Sequence, residues 1–234
     1  MVYPDGGLRI EVPHDQCRFR ITLPEEAKRF RHLRSFLGTS RMAYRKQILL
    51  RIGSVPEALT FEADEYLFTL AGFLADVVIL GESLTFYRIH DGNLFQFSNE
   101  NSQATRRKQR VLAALAQSLR IRLEQDRVPP EVARAILECV EVEADILRLM
   151  LDSGFPWETV LTELKIMRIF ERDASFWQHL FSYARLLPAI ALPAGTYYHW
   201  RKRLSQATFY QAFRRKFMPF PVQSSIKRID KPAP

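Results

Sequence analysis

The chain has 234 residues, 47% of them hydrophobic and 26% charged, and a formal net charge of +8. That length and apolar content exclude a disordered chain and suit one large domain, or one domain with an appended helical region. Its two cysteines, Cys17 and Cys139, are far apart and lack CxxC spacing, so the sequence shows no disulfide framework and favours a reducing, intracellular setting.

The opening "MVYPDGGLRIEVPHD" has no basic segment followed by an apolar one, as a signal peptide would. "LRIEV" (8–12) and "FRITL" (18–22) alternate apolar and polar residues, the pattern of half-buried strands. "PEEAKRFRHLRSFL" (24–37) predicts a helix, with proline at its start, acids in its first turn and bases later. Gly38, Thr39 and Ser40 break it. "RMAYRKQILLRIG" (41–53) predicts a second helix closed by Gly53, and a third starts near Ala63. Val77 to Leu80 and Ser83 to Tyr87 predict short strands ahead of an Asp91-Gly92-Asn93 turn.

From Ser102 to about Phe217 the pattern is helical. Ile136, Val140, Ala144, Leu147 and Leu151 recur at three- and four-residue steps, Pro129-Pro130 separates two helices, and Gly154-Phe155-Pro156 closes the second. The apolar stretch at 186–200 is broken by two prolines, and no run reaches the roughly 18 to 20 apolar residues that a spanning helix requires. The expected fold is α+β and mainly α overall: an α/β region over 1–97, a helical extension over 98–217 and a loose tail over 218–234.

Lys and Arg balance Asp and Glu over residues 1–97 and again over 98–194, so the whole excess charge lies in 195–234. There "RKR" (201–203) and "RRKF" (214–217) are interleaved with Trp200, Phe209, Tyr210, Phe213 and Phe217. Such a segment suits an anionic membrane surface. A plain solvated helical tail is the structural alternative. Nucleic acid is the third reading, disfavoured because no nucleic-acid-binding motif is present.

Three constellations can carry chemistry. "FEADEYLF" places Glu62, Asp64 and Glu65 at a helix start, where Asp64 reads either as the N-cap or as a carboxylate that takes a proton from an attacking hydroxyl. After the strand "SLTFY", Arg88 can grip phosphate oxygens and His90 can ligate a metal or orient a phosphate, with Asn93 in the following turn; a surface Arg and a hydrogen-bonded His are the alternative. In "LGTSRMAYRK", Gly38, Thr39 and Ser40 precede a helix bearing Arg45, and can cradle an anion or sugar hydroxyl or simply cap that helix. P-loop, GxGxxG, GxSxG and D-x-D patterns are all absent from the sequence.

The succession "GTSRMAYRK", "VPEALTFEADEYLFTLA" and "VVILGESLTFYRIHDGN" resembles the second half of the catalytic domain of bacterial family 2 glycosyltransferases, which have the GT-A fold. The resemblance covers residues 36–97 and extends towards Val2. It implies that Asp64 is the catalytic base of an inverting sugar transfer. It places Gly38, Thr39 and Ser40 beneath donor sugar and acceptor, and Arg88 and His90 beside the diphosphate and a divalent metal, Mg or Mn, with His90 its ligand; Arg45, Glu62 and Asn93 are the further substrate-binding residues. Nucleotide sugar and a saccharide or lipid-linked acceptor are the implied partners.

Two departures stand out. Where the family often has an acid directly before the base, this chain has Ala63, with Glu62 one residue earlier. The nucleotide-binding half that ends in D-x-D is not among these residues, so the resemblance implies a truncated, acceptor-side half. Transfer is then expected only when a donor-binding half is supplied, by an N-terminal partner chain or within an oligomer. The expected location is cytoplasmic and peripheral on the inner face of the membrane. The alternative function is a non-catalytic helical interaction module that docks on an anionic membrane or on a partner protein.

Overall fold

The structure is a computed structural model that describes residues 8–10, 17–33, 42–80, 102–152, 154–170, 176–207 and 227–229. Its elements are mainly helical. The chain divides into two compact units, the first Met1–Ser98 with Arg127–Ala135 and Pro221–Pro234, the second Asn99–Asp126 with Ile136–Phe220.

Among the described residues, the first unit holds two short antiparallel ladders, three helices and the start of a fourth. Strand β1 (Leu8–Ile10) pairs with β4 (Lys227–Ile229), Leu8 opposite Ile229, and β2 (Cys17–Phe19) pairs with β3 (Val77–Ile79), Phe19 opposite Val77. The residues of β4 fall within the stretch expected to be a loose tail, and their backbone groups are taken up by a strand from the other end of the chain. Likewise β3, whose apolar sequence calls for a strand neighbour, finds one in β2, reinforced by an Arg18–Asp76 ion pair at 2.5 Å. Among the described residues there is no parallel sheet.

Helix α1 (Pro24–Leu33) begins with proline at its first position, and Glu26 at its third reaches back to the start. The Glu26 carboxylate accepts from the Thr22 N–H (2.7 Å), the Thr22 hydroxyl (2.7 Å) and the Leu23 N–H (3.0 Å). These bonds, the Thr22 hydroxyl foremost, hold its pKa below the ordinary 4.5. Helix α2 (Lys46–Ile52) is shorter than the helix expected over 41–53: Arg45 is extended, with φ −67° and ψ 132°, and is the N-cap, its carbonyl accepting from the Ile48 N–H at 2.9 Å while its side chain makes no cap bond. It ends at Gly53, whose φ of 81° belongs to the left-handed region that glycine enters without strain.

Helix α3 (Ala63–Leu74) is the core element of this unit, with Phe68, Leu70, Ala71 and Leu74 buried. Phe19, Phe30 and Phe68 form an aromatic triangle with ring centroids 5.0 to 6.3 Å apart. The chain after β2 crosses α3 at Gly72, whose carbonyl accepts from the Ile21 N–H at 2.8 Å; a Cβ there would lie 2.8 Å from Ile21 Cδ1. Close backbone approach is what the glycine permits.

The second unit is helical: α4 (Ser102–Gln125), the body of α5 (Pro130–Leu151), α6 (Pro156–Phe170), α7 (Phe176–Ala184), α8 (Leu186–Ala191) and α9 (Ala194–Gln206). In α4 the buried residues Leu112, Leu115, Ala116, Leu119 and Leu123 recur at three- and four-residue steps. In α5, Ile136, Val140 and Ala144 of the expected stripe are buried, while Leu147 and Leu151 are half-buried. Cys139 is buried, packed with Val142, Ile166 and Ile169. Lys165–Asp145 (3.4 Å), Arg168–Glu138 (2.6 Å) and Arg148–Glu158 (3.6 Å) pair α5 with α6. Among the described residues no helix is long and apolar enough to cross a membrane.

Candidate active site at the start of helix α3

The approach to α3 is a tight turn, with the Leu59 N–H donating to the Pro56 carbonyl at 2.9 Å and the side chains of Leu59 and Phe61 buried beneath it. Glu62 is the N-cap, with φ 64° and ψ 16°. A side chain larger than glycine in this left-handed region costs roughly 1–3 kcal/mol, which the surrounding packing must offset. Tyr66 N–H donates to the Glu62 carbonyl at 3.2 Å, the first bond of the helix.

The expectation that Asp64 is the N-cap is corrected by this geometry. Glu62 takes the cap position because its left-handed backbone turns the chain into the helix, and Asp64 becomes the second helical residue. Asp64 still serves the exposed end of the helix: its Oδ1 accepts from the Glu65 N–H at 3.0 Å. Its carboxylate is part-buried, and Glu65 beside it is buried.

Tyr44 is the residue that the sequence reading overlooked. It lies half-buried on the extended segment ahead of α2, its hydroxyl 3.0 Å from Met42 Sδ. Its pKa is pushed up to about 12, first by burial and then by the negative charge of Asp64. Tyr44 and Asp64 are therefore electrostatic neighbours, and the segment carrying Arg45 meets the start of α3 there. The clue in the sequence was an aromatic residue directly before the basic pair in "MAYRK".

Of the predicted site residues, Arg45, Glu62 and Asp64 lie on this rim: Arg45 exposed at the N-cap of α2, Glu62 and Asp64 at the head of α3. Gly38, Thr39, Ser40, Arg88, His90 and Asn93 fall outside the described residues. No group of three His, Cys, Asp or Glu side chains converges among the described residues to hold a metal; His90, the expected ligand of Mg or Mn, lies outside them. What the head of α3 can do is general-base chemistry: a carboxylate at a helix N-terminus with a neutral phenol beside it.

Comparison with protein-family models, with curated proteins and with solved structures returns no match for this chain.

Proposed function

We propose that the first unit is the acceptor-side half of an inverting, family 2-type glycosyltransferase. The observation that supports this reading is the meeting of Tyr44 and Asp64, which joins two of the three segments on which the resemblance rests. In this reading the Asp64 carboxylate removes the proton from an acceptor hydroxyl. The hydroxyl oxygen then attacks the anomeric carbon of a nucleotide sugar in line, and the nucleoside diphosphate leaves from the opposite face with inversion. Arg45 supplies positive charge at the rim. Arg88, His90 and Asn93 act on the diphosphate side, together with a divalent metal and a D-x-D-bearing donor half that these 234 residues do not contain.

The test is transfer from a panel of nucleotide sugars, with Mg²⁺ or Mn²⁺, by the chain supplied with such a donor half. Asp64→Asn is expected to lower transfer by roughly 10²–10⁴-fold with the fold intact. Undiminished transfer by Asp64→Asn, or robust turnover by the chain without any donor half, would overturn the reading.

A second reading, a helical module with no chemistry of its own, is favoured by the distribution of charge. Between Asp173 and Asp230 the sequence has no acidic residue and nine basic ones. A peripheral position on the inner face of a membrane fits both readings.

A further inference from the structure

Water-soluble helices hide large apolar side chains and expose polar ones. Part of the second unit does the reverse. Helices α7 and α8 are joined through Arg185 in right-handed helical conformation, with the Arg185 N–H donating to the Phe181 carbonyl (3.1 Å) and the Ala189 N–H to the Arg185 carbonyl (3.4 Å), so together they form one nearly continuous rod. Along it Phe176, Leu180, Tyr183, Leu187 and Ile190, at steps of four and three, are between 50% and 73% exposed. Among the side chains of the rod that the structure describes, the buried ones are Ser182 and Ala189, one polar and one small.

Helix α6 repeats the inversion as far as Leu164, beyond which Ile166, Met167 and Ile169 are buried. Trp157, Leu161 and Leu164 are exposed, whereas Thr159, Thr162 and Glu163 are buried. Inside, Glu163 is paired with Arg201 of α9, Tyr197 and Tyr198 are buried beside it, and the hydroxyl of Thr159 is buried without a hydrogen-bond partner among the described residues. Small residues line the inner contacts: Ala189 and Ala194 are fully buried, and a Cβ on Gly195 would meet the Met150 carbonyl oxygen at 3.3 Å. Polar groups turned inward, small residues at helix crossings and large apolar residues turned outward are how helices are arranged against lipid.

We propose that the outward apolar stripe of α7 and α8, seconded by that of α6, inserts in the plane of an anionic bilayer. No described helix can cross a membrane, so insertion is from one side. Charge selects the occupant. The rod carries no acid, His179 and one arginine, Arg185, and α9 follows it with Lys202 and Arg203, neither of which has an acidic partner among the described residues. A second copy stacked on the stripe would bring two acid-free, basic segments together and be repelled. Anionic headgroups would be attracted by the same charge, at about five-fold in affinity for each base. Trp200, partly exposed on α9, is of the type that settles at the headgroup level.

The proposal does not rest on the transferase reading, and its test leaves Asp64 untouched. The full chain is mixed with phosphatidylglycerol–phosphatidylcholine vesicles and with pure phosphatidylcholine vesicles, some carrying brominated acyl chains. Co-sedimentation with the anionic vesicles and quenching of tryptophan emission by the bromines are expected. Leu187→Glu with Ile190→Glu should reduce binding by about 100-fold with helix content unchanged, and the milder Leu187→Ser by about ten-fold. Lys202→Ala with Arg203→Ala should weaken binding to anionic vesicles only. Absence of binding, binding without quenching, or binding indifferent to the stripe variants would overturn it. So would a concentration-dependent dimer dissolved by Leu187→Glu, which would give the face to a second copy, or an acidic protein that occupies the stripe in preference to lipid.

Discussion

Helix α4 and the rod formed by α7 and α8 belong to the same unit, yet they face their surroundings with opposite polarity. In α4 the leucines at 112, 115, 119 and 123 are buried and Arg106, Arg107, Arg110 and Arg120 are exposed. In the rod Phe176, Leu180, Tyr183, Leu187 and Ile190 are outside, and among the described side chains a serine and an alanine are inside. Apolar spacing is alike in both. The difference teaches that periodicity reports a face and does not say what the face meets: α4 has protein on its apolar side and water on the other, whereas the rod has protein on its small, polar side.

Stability measurements can break or sharpen this contrast. The largest effect is expected at Leu119, fully buried in α4, where Leu119→Ala should cost about 2–5 kcal/mol in chemical unfolding. The same change in the rod, Leu187→Ala, should stay within about 0.5 kcal/mol, since the side chain is largely exposed. A comparable loss at both positions would mean that the rod's apolar face is covered within the chain, and the contrast would vanish.

Next comes the inward polarity of α6. Arg201→Met leaves the Glu163 carboxylate buried without its counter-charge and should destabilise by about 3 kcal/mol, the low end for a broken buried pair because Arg201 keeps partial contact with water. Adding Glu163→Leu should recover most of the loss, because the penalty lies in the unpaired charge rather than in the absent bridge. Failure of the double variant to recover would show that the pair contributes net stability.

The smallest effect distinguishes the buried tyrosines of the two units. Tyr197 and Tyr198 are raised well above the ordinary tyrosine pKa of 10.0, by burial first and then by Glu163, while Tyr44 is raised to about 12 by burial first and Asp64 second. For Tyr44 the folded state favours the neutral phenol. Its contribution to stability is complete below pH 10.0, where the unfolded chain begins to ionise, and is lost as the pH rises through about 12. Asp64→Asn should lower the Tyr44 midpoint yet leave it above 10.0, because burial remains. The phenolate absorbance, taken as a difference against Tyr44→Phe, reads this directly. An unchanged midpoint would separate Tyr44 from the candidate base.

Much of the helical content was legible beforehand, because runs such as "RVLAALAQSLRIRLEQ" and "VARAILECVEVEADIL" repeat at the helical period over several turns. Helix starts were less legible. "RMAYRKQILLRIG" suggested a helix from Arg41, but the backbone at Arg45 is extended and the helix begins at Lys46. Asp64 looked like the cap on residue type, whereas the left-handed backbone of Glu62, held by buried Leu59 and Phe61, set the cap two residues earlier. At the candidate site the sequence supplied Arg45, Glu62 and Asp64. It could not supply Tyr44 as the neighbour of Asp64, since that proximity depends on how α2 meets α3.

The sequence by itself determined where helices can form, where charge accumulates and which residues can act as base, cation or ligand, because those properties belong to side-chain chemistry and local spacing. Tertiary structure alone decided that β1 is paired by β4 and β2 by β3, and that the apolar stripe from Phe176 to Ile190 faces outward while Glu163, Tyr197 and Tyr198 face in. Both follow from contacts between distant segments, and burial is a property of a residue's neighbours in space rather than of the residue.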